Sequence, residues 1–145
     1  MFSQRVKDVM ERKKILIAPP DTTVSKAARL MEERNVGAIM VVENERLVGI
    51  FTERDAVFRV IARGRDVKTT RLAEVMTAGP LTVDPDKSFG YALLMMQQNG
   101  FRHVPVVVDG KPVGIVSSRN ALDPELEEFI SESQRRKYIQ QTMGV

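Results

Sequence analysis

Two short phrases carry residue types from which binding chemistry can be built: Thr52-Glu53-Arg54-Asp55 and Ser117-Ser118-Arg119-Asn120. In each, a small hydroxyl residue stands three places ahead of Asp or Asn, directly after an apolar run, Gly49-Ile50-Phe51 or Gly114-Ile115-Val116. A hydroxyl followed at that distance by an acid is a capping-box variant: the hydroxyl accepts from the helix backbone and the acid reaches back. The same residues also suit a ligand. Unpaired amides and positive partial charge at a helix start favour a phosphate or another anion, with the hydroxyl as an added partner. A carboxylate one turn further in accepts from both hydroxyls of a ribose. One geometry accommodates both readings, and both stay open at this point.

The two phrases lie 65 residues apart, counted from Gly49 to Gly114, and much of the chain repeats at nearly that distance. Such self-similarity means one supersecondary unit used twice. Val6-Lys7-Asp8-Val9-Met10 opens the first unit and Leu72-Ala73-Glu74-Val75-Met76 the second. A short β-rich segment follows, 15–18 or 81–83, closed by the turn signals Pro20-Asp21 and Pro85-Asp86. Helical stripes come next: Val24, Ala27, Ala28 and Met31, then Phe89, Ala92, Leu93 and Met96. Their methionines read as core filler. Asn35 and Asn99-Gly100 supply the stops.

Each unit continues with two strands, 38–42 and 47–51 in the first, 104–108 and 112–116 in the second. Asp109-Gly110 predicts a tight hairpin turn, and the nearly unbroken apolar runs predict that both sheet faces are covered. After Thr52, the positions Ala56, Val57, Val60 and Ile61 predict a helix ending before Gly64, followed by a polar linker to Arg71. In the second unit, Asp123-Pro124 is expected to cut the equivalent helix short and start a new one. Glu125, Glu127 and Glu128 then sit near its start, Arg135, Arg136 and Lys137 near its end, and Leu126, Phe129 and Ile130 on a narrow apolar side. The expected division is 6–66, 67–123 and a helical tail 124–145.

Composition narrows the function classes. A chain of 145 residues, 43% hydrophobic and 28% charged, is long enough for a proper core. No apolar run approaches the ~20 residues of a membrane span, and no apolar stretch follows the charge near Met1, so neither a membrane nor a secretory leader is expected and the expected location is cytoplasmic. Zero Cys excludes disulfides, thiol nucleophiles and cysteine-ligated metals, and the single histidine, His103, excludes a histidine-rich metal site within one chain. No metal is expected. The net charge of +3 and pI near 9.4 suit an anionic partner. The basic residues are dispersed, in Arg12-Lys13-Lys14, Arg59 to Arg65 and Arg135 to Lys137, without a nucleic-acid reader motif, so nucleic acid is not expected as the partner. Nor does a nucleophile elbow or a histidine–acid metal signature accompany the binding groups, and an enzyme is not expected.

The ordered series of Asp-Val-Met and Glu-Val-Met starts, Pro-Asp turns, paired strands and Gly-Ile-x-Thr/Ser-x-x-Asp/Asn closures resembles a tandem pair of cystathionine-β-synthase (CBS) domains, the Bateman module. The resemblance covers residues 6 to 123. It implies an α/β (α+β) fold of two βαββα repeats about a pseudo-two-fold axis, plus a C-terminal helix, with two clefts between the repeats for adenosine derivatives. One cleft would combine Ile50, Thr52 and Asp55 with Thr82, Val83, Arg102, His103 and Pro105; the other would combine Ile115, Ser117 and Asn120 with Ile17, Ala18, Val36, Gly37 and Ala38. Arg54 and Arg119 would rim them, or serve as solvent-facing helix residues.

Physical chemistry separates the two. Asp55 offers charge-assisted bonds to a ribose, and Arg102 and His103 could meet phosphate, so the first cleft is expected to be the stronger. Asn120 lacks the ionic gain, while Gly37 and Ala38 leave room for an adenine ring. His103 also reads as an ordinary satisfied histidine at a strand start. By resemblance the chain is a stand-alone sensor of AMP, ADP or ATP, with NAD(H) and S-adenosylmethionine as further ligands of the same chemistry. It would need no catalytic cofactor, would form a homodimer, and would pass its state to a regulated protein partner. An alternative class is a ligand-independent interaction module that uses the C-terminal helix.

Overall fold

The computed structural model describes residues 2–13 and 15–143, with the side chains beyond Ala121 described only in part. In chain order the elements are α1 (Val6–Val9), β1 (Ile17–Ala18), α2 (Val24–Arg34), β2 (Ala38–Glu43) and β3 (Arg46–Thr52), then α3 (Glu53–Asp55) running into a π-helical stretch, Ala56–Ile61. There follow α4 (Leu72–Val75), β4 (Thr77–Ala78), α5 (Phe89–Asn99), β5 (His103–Val108), β6 (Lys111–Ser117) and α6 (Arg119–Met143). Lys14 of the first basic cluster lies outside the described residues.

The expected mixed α/β arrangement of two similar units is present. Helices α2 and α5 start where a hydroxyl caps them: Thr23 accepts from the Lys26 amide at 3.3 Å and Ser88 from the Tyr91 amide at 3.2 Å. They stop at Asn35 and Gly100, both left-handed at φ 53° and 71°. Val24, Ala27 and Met31 are buried on α2, and Phe89, Ala92 and Met96 on α5; Ala28, expected in the stripe, faces solvent. The β2–β3 and β5–β6 hairpins are antiparallel, each with a register shift at the same relative place, between Val41 and Val42 and between Val106 and Val107. Asp109-Gly110 makes the expected tight turn, with φ 52° and 79°.

The sheets are completed by exchange. In the first unit β1 runs parallel to β2 and β4 pairs with β3, giving the order β1-β2-β3-β4. In the second, single bridges replace full strands: Val83 lies parallel to Val106, and Glu11 lies antiparallel to Ile115. Thus the segment opening the first unit belongs to the core of the second. Val6 is buried with Val83, Phe89, Ala92 and Val104, while Leu72 and Val75 are buried with Val24, Ile39 and Phe51. Backbone bonds follow the same crossover, Val6 N–H to Lys87 and Leu72 N–H to Thr22. The packed units trade their first helices, so neither is built from one contiguous stretch of the expected 6–66 and 67–123 division.

Two helices depart from expectation. The stretch after Asp55 widens to π-helical spacing, with the Ala62 and Arg65 amides bonding five residues back to Val57 and Val60. Only the line of Ala56 and Val60 faces the core, leaving Val57 half-exposed and Ile61 67% exposed. Helix α6 is continuous from Arg119 through Asp123-Pro124, so the expected break is absent. A proline near a helix start removes one amide donor, and the long run of backbone bonding beyond it carries the helix on. Glu125 to Glu128 therefore lie inside α6 and not in its first turn. Of its expected apolar side, Phe129 is largely exposed; the side chains of Leu126 and Ile130 lie outside the described residues.

The hairpin turns clasp each other. Leu47 N–H donates to the Gly110 carbonyl at 3.0 Å, Arg46 donates to the Asp109 carbonyl at 3.3 Å, and Lys111 pairs with Glu45 at 3.5 Å. The opposite ends of the strands, Ala38 beside Thr52 and His103 beside Ser117, diverge around a cleft. If the exchange completes both cores, Val6→Ala is expected to cost about 2 kcal/mol and Leu72→Ala about 3 kcal/mol in urea denaturation. A Val6→Ala midpoint equal to wild type would contradict the docking of the N-terminal segment.

Candidate functional site

Strand ends β3 and β6 deliver Thr52 and Ser117 to one cleft of about 1410 Å³ lying between the two units. Small-molecule sites commonly span about 300–1,000 Å³, so this volume suits two ligand positions or one extended ligand. Of the residues expected in the stronger half, Ile50, Thr52, Arg54, Asp55, Arg102 and His103 line the cleft. From the second half, Val36, Gly37, Ala38, Ile115, Ser117, Arg119 and Asn120 do so.

Five expected residues do not line it. Ala18 and Val83 are buried in the two cores, and Pro105 is buried with its carbonyl accepting the Val83 amide at 3.0 Å. Ile17 is half-exposed and pairs with Met40, while Thr82 immediately precedes the bridging Val83. The cleft is lined two residues earlier, by Ile15 and Leu16 and by Pro80 and Leu81. The displacement is the same in both units because each segment enters its strand pairing after passing the cleft. Glu11 and Thr77, brought in by the exchanged segments, line it too, as do Glu53, Arg59 and Ser118. The repeat spacing pairs positions 15 and 80 as it pairs 17 and 82; strand pairing decides between them.

Asp55 is 8% exposed and already committed. Its Oδ2 accepts from the Thr52 amide at 3.0 Å and from the Thr52 hydroxyl at 3.2 Å, while its own amide donates to Thr52 Oγ1 at 3.3 Å. The capping box is therefore formed. Asp55 Oδ1 takes longer contacts, the Thr77 hydroxyl at 3.4 Å and Arg59 Nε at 3.4 Å. Arg59 is held by the Met76 carbonyl at 2.9 Å. A ribose diol meeting this carboxylate must replace the weaker Oδ1 partners. Among the helix-start amides, that of Glu53 is taken by the Gly37 carbonyl and that of Ser118 by the Arg102 carbonyl, so neither is free for an anion.

The Asn120 half has the opposite polarity. Oδ1 accepts from the Ser117 amide at 2.8 Å and its hydroxyl at 3.4 Å, which leaves the amide nitrogen to donate toward a ligand. Arg54 reaches across to the Gly100 carbonyl at 2.9 Å, with its guanidinium 5.2 Å from the Phe58 ring centroid. Its counterpart Arg119 makes no such bond among the described residues and lies with Arg102 near His103.

The two expected clefts merge at the centre. Gly37, assigned to one, faces His103, assigned to the other: a Cβ at residue 37 would lie 3.5 Å from His103 Cε1 and against the Glu53 carboxylate. The room left by Gly37 is thus partly filled. His103 makes no ring hydrogen bond among the described residues, contrary to a satisfied strand-start histidine. Burial lowers its pKa below 6.5; Glu53 opposes this, while Arg119 and Arg102 add to it.

A family model, the CBS domain, matches residues 6–62 and again residues 72–124. The mitochondrial CBS domain-containing protein CBSX3 of Arabidopsis thaliana is 35% identical over 95% of this chain and 73% of its own. A solved structure of an uncharacterized conserved protein from Pyrococcus horikoshii superposes with a TM-score of 0.79 at 30% identity, covering 86% of this chain and 94% of that one. A CBS domain protein from Pyrobaculum aerophilum, solved in complex with AMP, superposes at 0.72 with 25% identity, over 80% of this chain and 88% of that one. Among the described residues, no helix is long and apolar enough to cross a membrane.

Two outcomes follow from the site geometry. The depressed His103 pKa means that the unfolded chain protonates first as pH falls. Stability is then complete above pH 6.5 and is lost as pH drops through the lower folded-state value. The thermal midpoint of the wild type should therefore fall more steeply from about pH 7.5 to about 5.5 than that of His103→Gln; equal slopes would contradict it. Asp55→Ala should cost about 1 kcal/mol in chemical denaturation without any ligand, since it opens the capping box.

Proposed function

The chain belongs to the CBS domain family as a tandem pair of its repeats, and from that premise we propose that it is a regulatory module that binds adenosine ligands in the cleft between them. The observation that carries this reading is the convergence of Asp55 and Asn120 at the strand ends with Arg102, His103 and Arg119 in a single cleft. Asp55 is suited to ribose hydroxyls once Thr77 and Arg59 yield their long contacts, and the two guanidiniums are suited to phosphate. The AMP complex of the Pyrobaculum aerophilum protein supports the same ligand chemistry. AMP, ADP and ATP are the first ligands to consider, with NAD(H) and S-adenosylmethionine as bulkier adenosine carriers that the cleft volume admits.

In this reading ligand and partner share one equilibrium. A ligand that bridges both units favours one arrangement of them, and only such differential affinity transmits a signal. The groups present bind and orient; the function is regulatory and not catalytic. A homodimer accords with the apolar surface left by Val57, Phe58, Ile61, Tyr91 and Leu94. A second reading, interaction through α6 without a ligand, draws on Phe129 and Ile139, both exposed on that helix. Changing both to serine would then abolish assembly while ligand binding persists.

Titration calorimetry with AMP, ADP, ATP, NADH and S-adenosylmethionine tests the main reading. At least one should bind with a Kd roughly between micromolar and millimolar, and Arg102→Gln should weaken a phosphate-bearing ligand by roughly three- to tenfold. Absence of heat from all five would contradict it.

A further inference from the structure

Glu53 occupies a place that adenosine binding by itself does not require. Its carboxylate lies over Gly37, in the volume a side chain at residue 37 would take, with Cδ 3.3 Å from that Cβ position. The ring of His103, from the other unit, approaches the same point at 3.5 Å. A Cβ at residue 37 would push the Glu53 carboxylate aside, while the His103 ring stands at ordinary contact distance from it. The charged groups acting on His103 come from three elements: Glu53 at the start of α3, Arg102 just before β5, and Arg119 at the start of α6. Neither Arg102 nor Arg119 forms an ion pair among the described residues, and neither does Glu53. Arg54, next to Glu53 in the chain, is bound elsewhere, to the Gly100 carbonyl.

Of the carboxylates lining the cleft, which include Asp55 and Glu11, Glu53 is the one that acts on His103, opposite in sign to the Arg102 and Arg119 guanidiniums. No side-chain hydrogen bond fixes its carboxylate among the described residues. A phosphate carries more charge and more acceptor oxygens, so it can take the same cations with stronger, charge-assisted bonds. Replacing a single negative charge by nearly two also favours the protonated imidazole.

We propose that Glu53 stands in for the ligand's phosphate in the unliganded cleft, and that an entering phosphate displaces it while His103 takes up a proton. The inference deepens the adenosine-ligand reading, on which it rests for the source of the phosphate. It makes Glu53 a specificity-determining residue: phosphate-bearing ligands compete with it and uncharged adenosine does not.

His103 is the chain's only histidine, so its imidazole signals are unambiguous in NMR. The ring would be titrated in wild type and Glu53→Gln, each without ligand and with inorganic pyrophosphate, AMP or adenosine, and the affinities of AMP and adenosine would be measured alongside. Glu53→Gln should lower the His103 pKa in the unliganded protein. Pyrophosphate and AMP should raise it in wild type, and adenosine should leave it in place. The same substitution should tighten AMP roughly three- to tenfold and change adenosine affinity by less than about twofold. An unliganded His103 pKa indifferent to Glu53→Gln would overturn the proposal, as would AMP affinity unchanged or weakened by it. Failure of pyrophosphate and AMP alike to move the ring would also overturn it. If pyrophosphate moves the ring but no adenosine compound binds, the adenosine reading fails while the displacement of Glu53 by phosphate stands.

Discussion

Val6 on one side and the pair Leu72 and Val75 on the other hold the architecture together, because each is buried in the unit it does not begin. Fully burying an aliphatic side chain contributes about 1.5–3 kcal/mol, a large share of the marginal stability of a small domain. Neither core is complete without a segment supplied from outside its own contiguous repeat. The exchange also sets distances in the cleft. By seating α4 on the first unit, it lays Thr77 beside Ile50, within reach of Asp55; by seating α1 on the second, it lays Glu11 against Ile115.

Close packing at these crossings explains two glycines. A Cβ at Gly49 would strike Met76 Sδ, and one at Gly114 would lie 2.7 Å from Met10 Sδ and 3.0 Å from the Glu11 carbonyl oxygen. The exchanged methionines thus press on the strands that carry Thr52 and Ser117. With the hairpin turns clasped at the far end, the cleft is bounded by strands held at both their turns and their edges. The freedom left to it resides in side chains: the long contacts of Asp55, and Glu53 poised over Gly37.

Much of this was legible in the residues. The 65-residue spacing, the capped helices and the Asp109-Gly110 turn are local signals, and they produce the units they predict. The exchange is different: Val6-Lys7-Asp8-Val9-Met10 and Leu72-Ala73-Glu74-Val75-Met76 are nearly alike, so either could serve either core, and only the fold decides. Pro124 reads locally as a helix start, yet a lost donor near the beginning of α6 is outweighed by the backbone bonding after it. Val57 and Ile61 fit an apolar stripe at α-helical spacing, which the π-helical widening does not keep. In the cleft, the Thr/Ser-x-x-Asp/Asn phrases located the floor, but a two-residue error in where the chain enters its first strands put Ala18 and Val83 where Leu16 and Leu81 stand in relation to the cavity. The capping reading of Asp55 is formed through one carboxylate oxygen, and the other, loosely held, is the one that the proposed binding reading uses.

In the proposed function, one cleft between exchanged repeats accepts an adenosine ligand with its phosphate toward the guanidiniums. A crystal structure grown with saturating AMP tests it most directly. Nucleotide density is expected between the units, with the ribose beside Asp55 or Asn120 and the phosphate within hydrogen-bond reach of Arg102 or Arg119. A cleft without nucleotide at saturating AMP, or AMP bound at another surface, would contradict it.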